Sequence, residues 1–308
     1  MLFQFLGGLS LFLYGLHGLS HSMESLFEGQ VKEWLRRLTS GRLRSIFLGT
    51  AVTGLVQSST AVTVMIVGLV EAGTLALPQA FDLIMGANVG TTVTAWIVAA
   101  GQLGESLQIP SFSWLPPLMA ISGILYKVFG GERCVRQAEL LTGLGTLFLG
   151  LAWMGQISAD QGRVIEIMSI MGQNPLFGIL AGILITCIIQ SSSAGIGILQ
   201  MLAMQGQVTL GTGIYVILGQ NIGTCITTLA AGMGMGKAAK AATWFHLGFN
   251  IIGVAAAAPL AVLVFRLWPA LAARPVDAIG LALFHTIFNL LSVLVVYPCT
   301  NASSTHSF

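Results

Sequence analysis

Long apolar runs, broken at matching places by small polar clusters, dominate this chain. Runs near residues 2–20, 80–101, 114–131, 138–157, 211–232, 242–265 and 278–298 are each long enough to cross about 30 Å of hydrocarbon. They predict seven crossing helices. Two further segments, 45–72 and 175–205, carry "QSST" (57–60) and "QSSS" (190–193) at their centres. Each flank offers about 13 residues, roughly 20 Å of helix at 1.5 Å per residue, too short to span. Each segment is therefore predicted to be a re-entrant hairpin with the polar motif at its tip.

Composition places the chain among polytopic membrane proteins: of 308 residues, 55% are hydrophobic and 8% charged, with 38 glycines. A net charge of +2 spread over the whole chain leaves no nucleic-acid footprint. The four cysteines (Cys134, Cys187, Cys225, Cys299) have neither CxxC spacing nor pairing, and they read as small core residues. The first run lacks a basic segment before it and is read as a retained helix, not a cleaved leader.

Loop charge distinguishes hairpins from full crossings, because cytoplasmic loops collect Lys and Arg. With two hairpins and the N-terminus outside, ten basic residues face the cytoplasm and only Arg163, Arg266 and Arg274 face out. Full crossings give an 8 to 5 split. The expectation is thus an integral protein of the cytoplasmic membrane, N-terminus outside and C-terminus cytoplasmic. The basic segment 30–44 is read as an interfacial helix with Trp34, Leu35 and Leu38 toward lipid, with a solvated loop as the competing reading.

An offset of 133 superimposes Thr53, Gln57, Ser58, Ser59 and Ala61 on Thr186, Gln190, Ser191, Ser192 and Ala194. It also superimposes Gly86, Asn88, Gly90, Thr91 and Thr94 on Gly219, Asn221, Gly223, Thr224 and Thr227. "GLSLFLYG" and "GLGTLFLG" match upstream. The chain is therefore read as one transmembrane domain over 1–308, with repeat 1 at about 3–101, repeat 2 at about 138–232 and extra C-terminal helices at 242–298. Hairpins entering from opposite sides make the repeats inverted, a common plan in secondary transporters.

At each tip the second half-helix starts in the Ser/Thr run, so free backbone N–H groups, the positive dipole end and hydroxyl donors converge. That suits an oxyanion. The companions "GANVGTT" (86–92) and "GQNIGTC" (219–225) are read as glycine-interrupted, unwound turns exposing oxygens for sodium; helix packing by small residues is the competing reading. No Lys or Arg lies between Ser45 and Tyr126, and no charged residue between Asn174 and Gly236. A buried dianion there needs positive charge from elsewhere, which predicts cation coupling. Protons fit less well, since Glu71 and Asp82 sit toward helix ends. "FHLGFN" (245–250) and "FHTIFN" (284–289) put His246 with Asn250 and His285 with Asn289 on one helix face, read as structural.

"GLVQSSTAVTVM" with "GANVGTTVTAW", repeated as "IIQSSSAGIGIL" with "GQNIGTCITTL" and followed by two FHxxFN segments, resembles the sodium/phosphate cotransporter family in its compact bacterial form, over about residues 3–298. The resemblance implies an all-α polytopic membrane fold of two inverted repeats, each with a re-entrant hairpin. It implies phosphate binding by Gln57, Ser58, Ser59, Thr60, Gln190, Ser191, Ser192 and Ser193. Sodium ligands are implied at Gln57, Ser59, Asn88, Thr91, Gln190, Ser192, Asn221 and Thr224. Sodium ions are then co-transported, with no organic cofactor. Two departures stand out: Thr60 replaces a serine, and Cys225 stands opposite Thr92. Bacterial relatives often carry a C-terminal PhoU-like domain, whereas the tail here reads "NASSTHSF". Expected partners are phosphate, sodium, lipid and a second copy or a separate regulatory protein.

The expected function is sodium-coupled phosphate transport by alternating access, not catalysis. Competing readings are a carrier for another small anion, an intramembrane serine hydrolase using a tip serine with His246 or His285, and a channel-forming subunit.

Overall fold

A computed structural model describes residues 2–37, 41–106, 111–131, 134–155 and 161–302. Apart from one isolated bridge between Thr209 and Pro275, the regular structure of these residues is helical. In chain order the helices are α1 (Leu2–Arg37), α2 (Arg42–Val56), α3 (Ser59–Glu71), α4 (Leu77–Gly90), α5 (Thr92–Ser106) and α6 (Ser111–Phe129). They continue with α7 (Val135–Gly155), α8 (Gln161–Gln173), α9 (Pro175–Ile189), α10 (Ser192–Met204), α11 (Leu210–Gly223) and α12 (Cys225–Gly232). The chain closes with α13 (Lys237–Leu267), a short α14 (Pro269–Ala272), α15 (Ala278–Val296) and a short α16 (Cys299–Ala302).

Among the described residues, five stretches are long and apolar enough to cross a membrane: Leu77–Gly101, Val135–Gly155, Leu210–Gly232, Lys237–Leu267 and Ala278–Val296. The other two predicted crossings fall within α1 and α6. Helix α8 was not anticipated. It meets α9 at a 118° bend, where Asn174 caps α9 by accepting from Leu176 N and Phe177 N at 3.0 and 3.2 Å and Pro175 opens the helix. Both features start helices for known reasons: a side-chain acceptor for free N–H groups and a ring that needs none.

The segment expected to lie at the interface is the end of α1. Leu35 and Val31 are fully buried in a cluster with α2, α3, α4 and α13, so Leu35 faces protein and not lipid. Trp34 is half-buried beside Phe27, with ring centroids 6.3 Å apart. Leu38 lies outside the described residues.

Helices α1 and α7 pack backbone to backbone along two glycines each, spaced by seven. A Cβ on Gly15 would fall 2.3 Å from Leu147 N and 2.6 Å from Gly143 O. One on Gly150 would fall 2.3 Å from Phe12 N and 2.7 Å from Gly8 O. Low numbers in α1 meet high numbers in α7, so the two helices are antiparallel. In the alignment of "GLSLFLYG" with "GLGTLFLG", Gly15 corresponds to Gly150 and Phe12 to Leu147, so each contact is the exchanged copy of the other. Such reciprocity is the mark of a local two-fold relation.

The next contact recurs in both halves as well. A Cβ on Gly86 would lie 2.0 Å from Ile46 O, and one on Gly219 2.0 Å from Ile179 O. One on Gly90 would lie 2.5 Å from Thr50 O and one on Gly223 2.9 Å from Ile183 O. Numbers rise together, so α4 runs parallel to α2, and α11 runs parallel to α9. The intervening α3 and α10 must bring the chain back, which makes α2–α3 and α9–α10 helical hairpins. Helix α13 packs on the first hairpin through α3, and α15 packs on the second through α10.

Candidate functional site

The hairpin tips share an uncommon backbone. Gln57 ends α2 at φ 58°, ψ 19°, and Gln190 ends α9 at φ 56°, ψ 22°. Among the described residues these are the non-glycine positions with positive φ. A left-handed cap is usually glycine, and a side chain there costs about 1–2 kcal/mol. Glutamine stands at both tips despite that cost. Ser58 and Ser191 follow in extended conformation and cap α3 and α10, their hydroxyls accepting from Ala61 N and Ala194 N, each at 3.2 Å.

The tips converge. One cavity of about 360 Å³ is lined by Gln57, Ser58, Ser59 and Thr60 from the first hairpin and Gln190, Ser191, Ser192 and Ser193 from the second, so all eight residues expected to bind phosphate meet there. At ~30 Å³ per water this is room for roughly a dozen waters, enough for a small oxyanion with ions or residual hydration. Helix α1 closes one side with His17 and Ser20, residues that sequence reasoning missed. An isolated His or Ser on a helix carries no local signal of what it faces.

A hydrogen-bonded chain joins the tips. Ser193 Oγ donates to Thr94 Oγ1 at 3.2 Å, Thr94 Oγ1 donates to Gln57 Oε1 at 2.9 Å, and Gln57 Nε2 donates to Gly54 O. Ser20 Oγ donates to Gln57 O at 3.2 Å. The second half differs: Gln190 is exposed, and Thr227, the counterpart of Thr94, donates within its own helix to Thr224 O at 3.0 Å. The site is two-fold in sequence and asymmetric in its bonds.

The companion motifs do not unwind. Thr91 and Thr224 keep helical angles (φ −57°, ψ −28° and φ −59°, ψ −28°), and their N–H groups reach Ala87 O and Gln220 O at 3.1 Å. Their glycines are the packing positions described above, filled by neighbouring backbone carbonyls. The expected carbonyl-exposing turns are thus replaced by close helix contact. Asn88, Thr91, Asn221 and Thr224 are buried and do not line the cavity. Asn88 Nδ2 donates to Ile84 O and Asn221 Nδ2 to Ile217 O, both at 2.9 Å. The hydroxyls of Thr53 and Thr186, repeat mates one turn before each glutamine, are buried without a partner among the described residues.

Residues 11–156 and 158–290 match the family model described as Na+/Pi-cotransporter. This chain is a member of the Na+/Pi-cotransporter family. It is 29% identical to the uncharacterized protein YqeW of Bacillus subtilis, covering 98% of this chain and 95% of YqeW. It is 25% identical to YjbB of Escherichia coli K12, a protein named provisionally for inorganic phosphate export, over 96% of this chain and 53% of YjbB. It is 35% identical over 143 residues to the rat sodium-dependent phosphate transport protein 2A, covering 41% of this chain and 22% of that protein. The chain therefore spans about half of YjbB and about a fifth of the rat protein. No solved structure matches it.

As a Na+/Pi-cotransporter family member the chain is an integral, all-α membrane protein, and the remaining polar motifs fall into supporting places. Asn250 Nδ2 and Asn289 Nδ2 each donate to the histidine carbonyl one turn back at 2.9 Å. His246 and His285 are buried and line no part of the cavity, so neither stands beside a tip serine as the hydrolase reading expected. Asp82, expected near an interface, is buried on α4 and paired with Arg42 Nε at 3.3 Å. Arg42 also donates to Tyr297 O at 2.9 Å and to Thr300 Oγ1, and lies 3.9 Å over the Tyr297 ring.

Proposed function

We propose that this protein carries inorganic phosphate across the membrane coupled to sodium, by alternating access of two inverted repeats around the tip cavity. The observation that carries the reading is the meeting of both QSS[ST] tips at one cavity whose lining, among the described residues, contains no Lys, Arg, Asp or Glu. Ser58 and Ser191 open helices at the cavity, so free N–H groups and the positive ends of α3 and α10 are aimed at an anion. Those partial charges are insufficient for a dianion. At an effective dielectric of about 20, one unit charge at 4 Å contributes about 4 kcal/mol, and sodium is the carrier we assign for it.

The eight tip residues are proposed to bind phosphate, and Gln57, Ser59, Gln190 and Ser192 to share sodium. Asn88, Thr91, Asn221 and Thr224, behind the tips, are proposed to complete the sodium shells through side-chain oxygens, with their helices intact. The repeat bounds at about 3–101 and 138–232, the re-entrant placement of both hairpins and an external N-terminus belong to the same reading. The antiparallel pairing of α1 with α7 supports inversion. The bonded Gln57 and exposed Gln190 support alternation: exchange of that latch between halves is the step that opens the cavity to the other side. Such a carrier runs in either direction according to the gradients, which accommodates both uptake and export.

The test is labelled-phosphate uptake into proteoliposomes with and without an inward sodium gradient. Uptake indifferent to sodium would sink the coupling, and preferential inhibition by sulfate or a carboxylate would reassign the anion.

A further inference from the structure

We infer that the groove between α13 and α15 is a binding site for one anionic phospholipid, its acyl chain lying in the groove and its phosphate at the two arginines that flank one mouth. The inference is independent of the phosphate reading above. The two helices touch where a Cβ added to Gly253 would fall 2.3 Å from Ser292 Oγ. From there toward the end of α13 they leave an apolar cavity of about 370 Å³, with Ala257 and Ala261 on one wall, Ile287 and Leu291 on the other, and Ile214 of α11 between them. The groove follows α13 from Gly253 to Val264, roughly 16 Å at 1.5 Å per residue. That is about half of a hydrocarbon core about 30 Å thick, the depth of one leaflet.

Comparison of the two halves explains why the groove is open. The offset of 133 places Phe81 of α4 opposite Ile214 of α11, and the two FHxxFN segments place Phe245 opposite Phe284. In the first half Phe81 stacks on Phe245, ring centroids 4.1 Å apart at 17°. In the second half the smaller Ile214 faces Phe284 across the open groove. Packed interiors leave few voids larger than a water molecule, so a groove of this size on an apolar face calls for a hydrocarbon occupant.

Charge identifies the headgroup. Phe265 lines both the groove and an adjoining pocket that contains Arg266. Leu210 and Leu271 line both the groove and a second adjoining pocket that contains Arg274. Both arginines are exposed, and among the described residues neither guanidinium has an ion-pair or hydrogen-bond partner. Asp277, in the pocket with Arg274, caps α15 by accepting from Gly280 N at 2.7 Å. Glu166 of α8 lines none of the three cavities. Trp268, two residues beyond Arg266, is 60% exposed, as aromatic side chains at the level of lipid headgroups are. A cleft that is apolar for one leaflet's depth and ends in two cations fits a phospholipid of net negative charge. Two copies of the chain in one membrane orientation, packed on this face, would instead bring Arg266 and Arg274 of each to the same end, like charge against like.

Binding is measured on purified protein in detergent, as the rise in melting temperature on adding phosphatidylglycerol or phosphatidylcholine and as the lipid retained in native mass spectrometry. Wild type should retain one phosphatidylglycerol in preference to phosphatidylcholine. An arginine near an anionic headgroup contributes about fivefold in affinity. The double variant Arg266→Gln with Arg274→Gln should therefore lose roughly thirtyfold for phosphatidylglycerol and respond to the two lipids alike. Ala257→Leu fills the groove and should lose the response to both. Leu184→Phe, on a face of α9 that is equally open to lipid at 60% exposure, should respond as wild type does. A phosphatidylglycerol preference that persists in the double arginine variant overturns the inference, as does a lipid response that survives Ala257→Leu. A wild-type dimer that Ala257→Leu separates, with no lipid retained, overturns it in favour of a second copy on this face. If Ala257→Leu does not purify, Ala261→Leu takes its place. Because the readout is lipid binding, absence of phosphate uptake would remove the transport reading and leave this inference standing.

Discussion

Adding one methyl group at Gly86 should unlock the first hairpin from its support. A Cβ there would lie 2.0 Å from Ile46 O, whereas a carbon and an oxygen in contact need roughly 3.2–3.5 Å. Both partners are backbone in helices, so no rotamer change relieves the overlap, and α2 and α4 must separate by about 1 Å. Overpacking of this kind costs about 1–3 kcal/mol. Separation also strains the 3.1 Å bond from Thr50 Oγ1 to Gly86 O, worth about 1 kcal/mol. Alanine returns about 1 kcal/mol in helix propensity, leaving a net loss of about 2 kcal/mol. Gly68 in α3 has nothing within 4 Å of its added Cβ, so Gly68→Ala should be stabilising by up to about 1 kcal/mol. Gly219→Ala, against Ile179 O at 2.0 Å, should match Gly86→Ala. The assay is thermal unfolding of purified protein in detergent, in sodium-free buffer and again with sodium. Both clashing variants should melt below wild type in both buffers and Gly68→Ala should not. Equal melting of Gly86→Ala and Gly68→Ala, or a loss seen only with sodium, would refute the packing account and restore the glycines to a sodium site.

Further outcomes follow from the tips and their supports. Gln190→Gly removes the side chain and the left-handed strain together, so it should raise stability by about 1 kcal/mol while abolishing phosphate uptake; retained uptake would show that the amide is dispensable. Gln57→Gly should also abolish uptake with little change in melting, because relief of strain offsets its lost bonds to Thr94 and Gly54. Thr94→Val cuts the chain from Ser193 to Gln57, two bonds worth about 1–3 kcal/mol together, and should lower melting. Thr227→Val loses one bond within its helix and should leave melting nearly unchanged, yet exchange of the latch predicts that both variants slow transport. Slowing by Thr94→Val alone would contradict that exchange. Arg42→Ala leaves Asp82 buried without its paired cation, a loss of about 3–5 kcal/mol, and adding Asp82→Asn should recover much of it in a double-mutant melting cycle.

Much was legible in one dimension because helix grammar is local. A Ser/Thr run after a glutamine, midway through an apolar segment, marks a stop and a restart, and the two-residue breaks at 57–58 and 190–191 lie where the motifs place them. The eightfold polar lining followed from the same motifs. Duplication by itself does not separate packing from ligand binding at GANVGTT and GQNIGTC. Packing repeats as faithfully as chemistry, and a Cβ added at Gly86 or Gly219 would fall 2.0 Å from the carbonyl oxygen of Ile46 or Ile179.

The sequence by itself determined that this is an all-α membrane protein, where its hairpins turn and which residues stand at their tips, since those depend on apolar run length and on caps a few residues apart. Tertiary structure alone decided that Leu35 is core and not lipid-facing, that Thr94 latches one tip while Thr227 does not latch the other, and that His17 and Ser20 of the first helix complete the cavity. Each of these pairs residues from separate elements, and no spacing along the chain encodes which of the two repeats holds its bond.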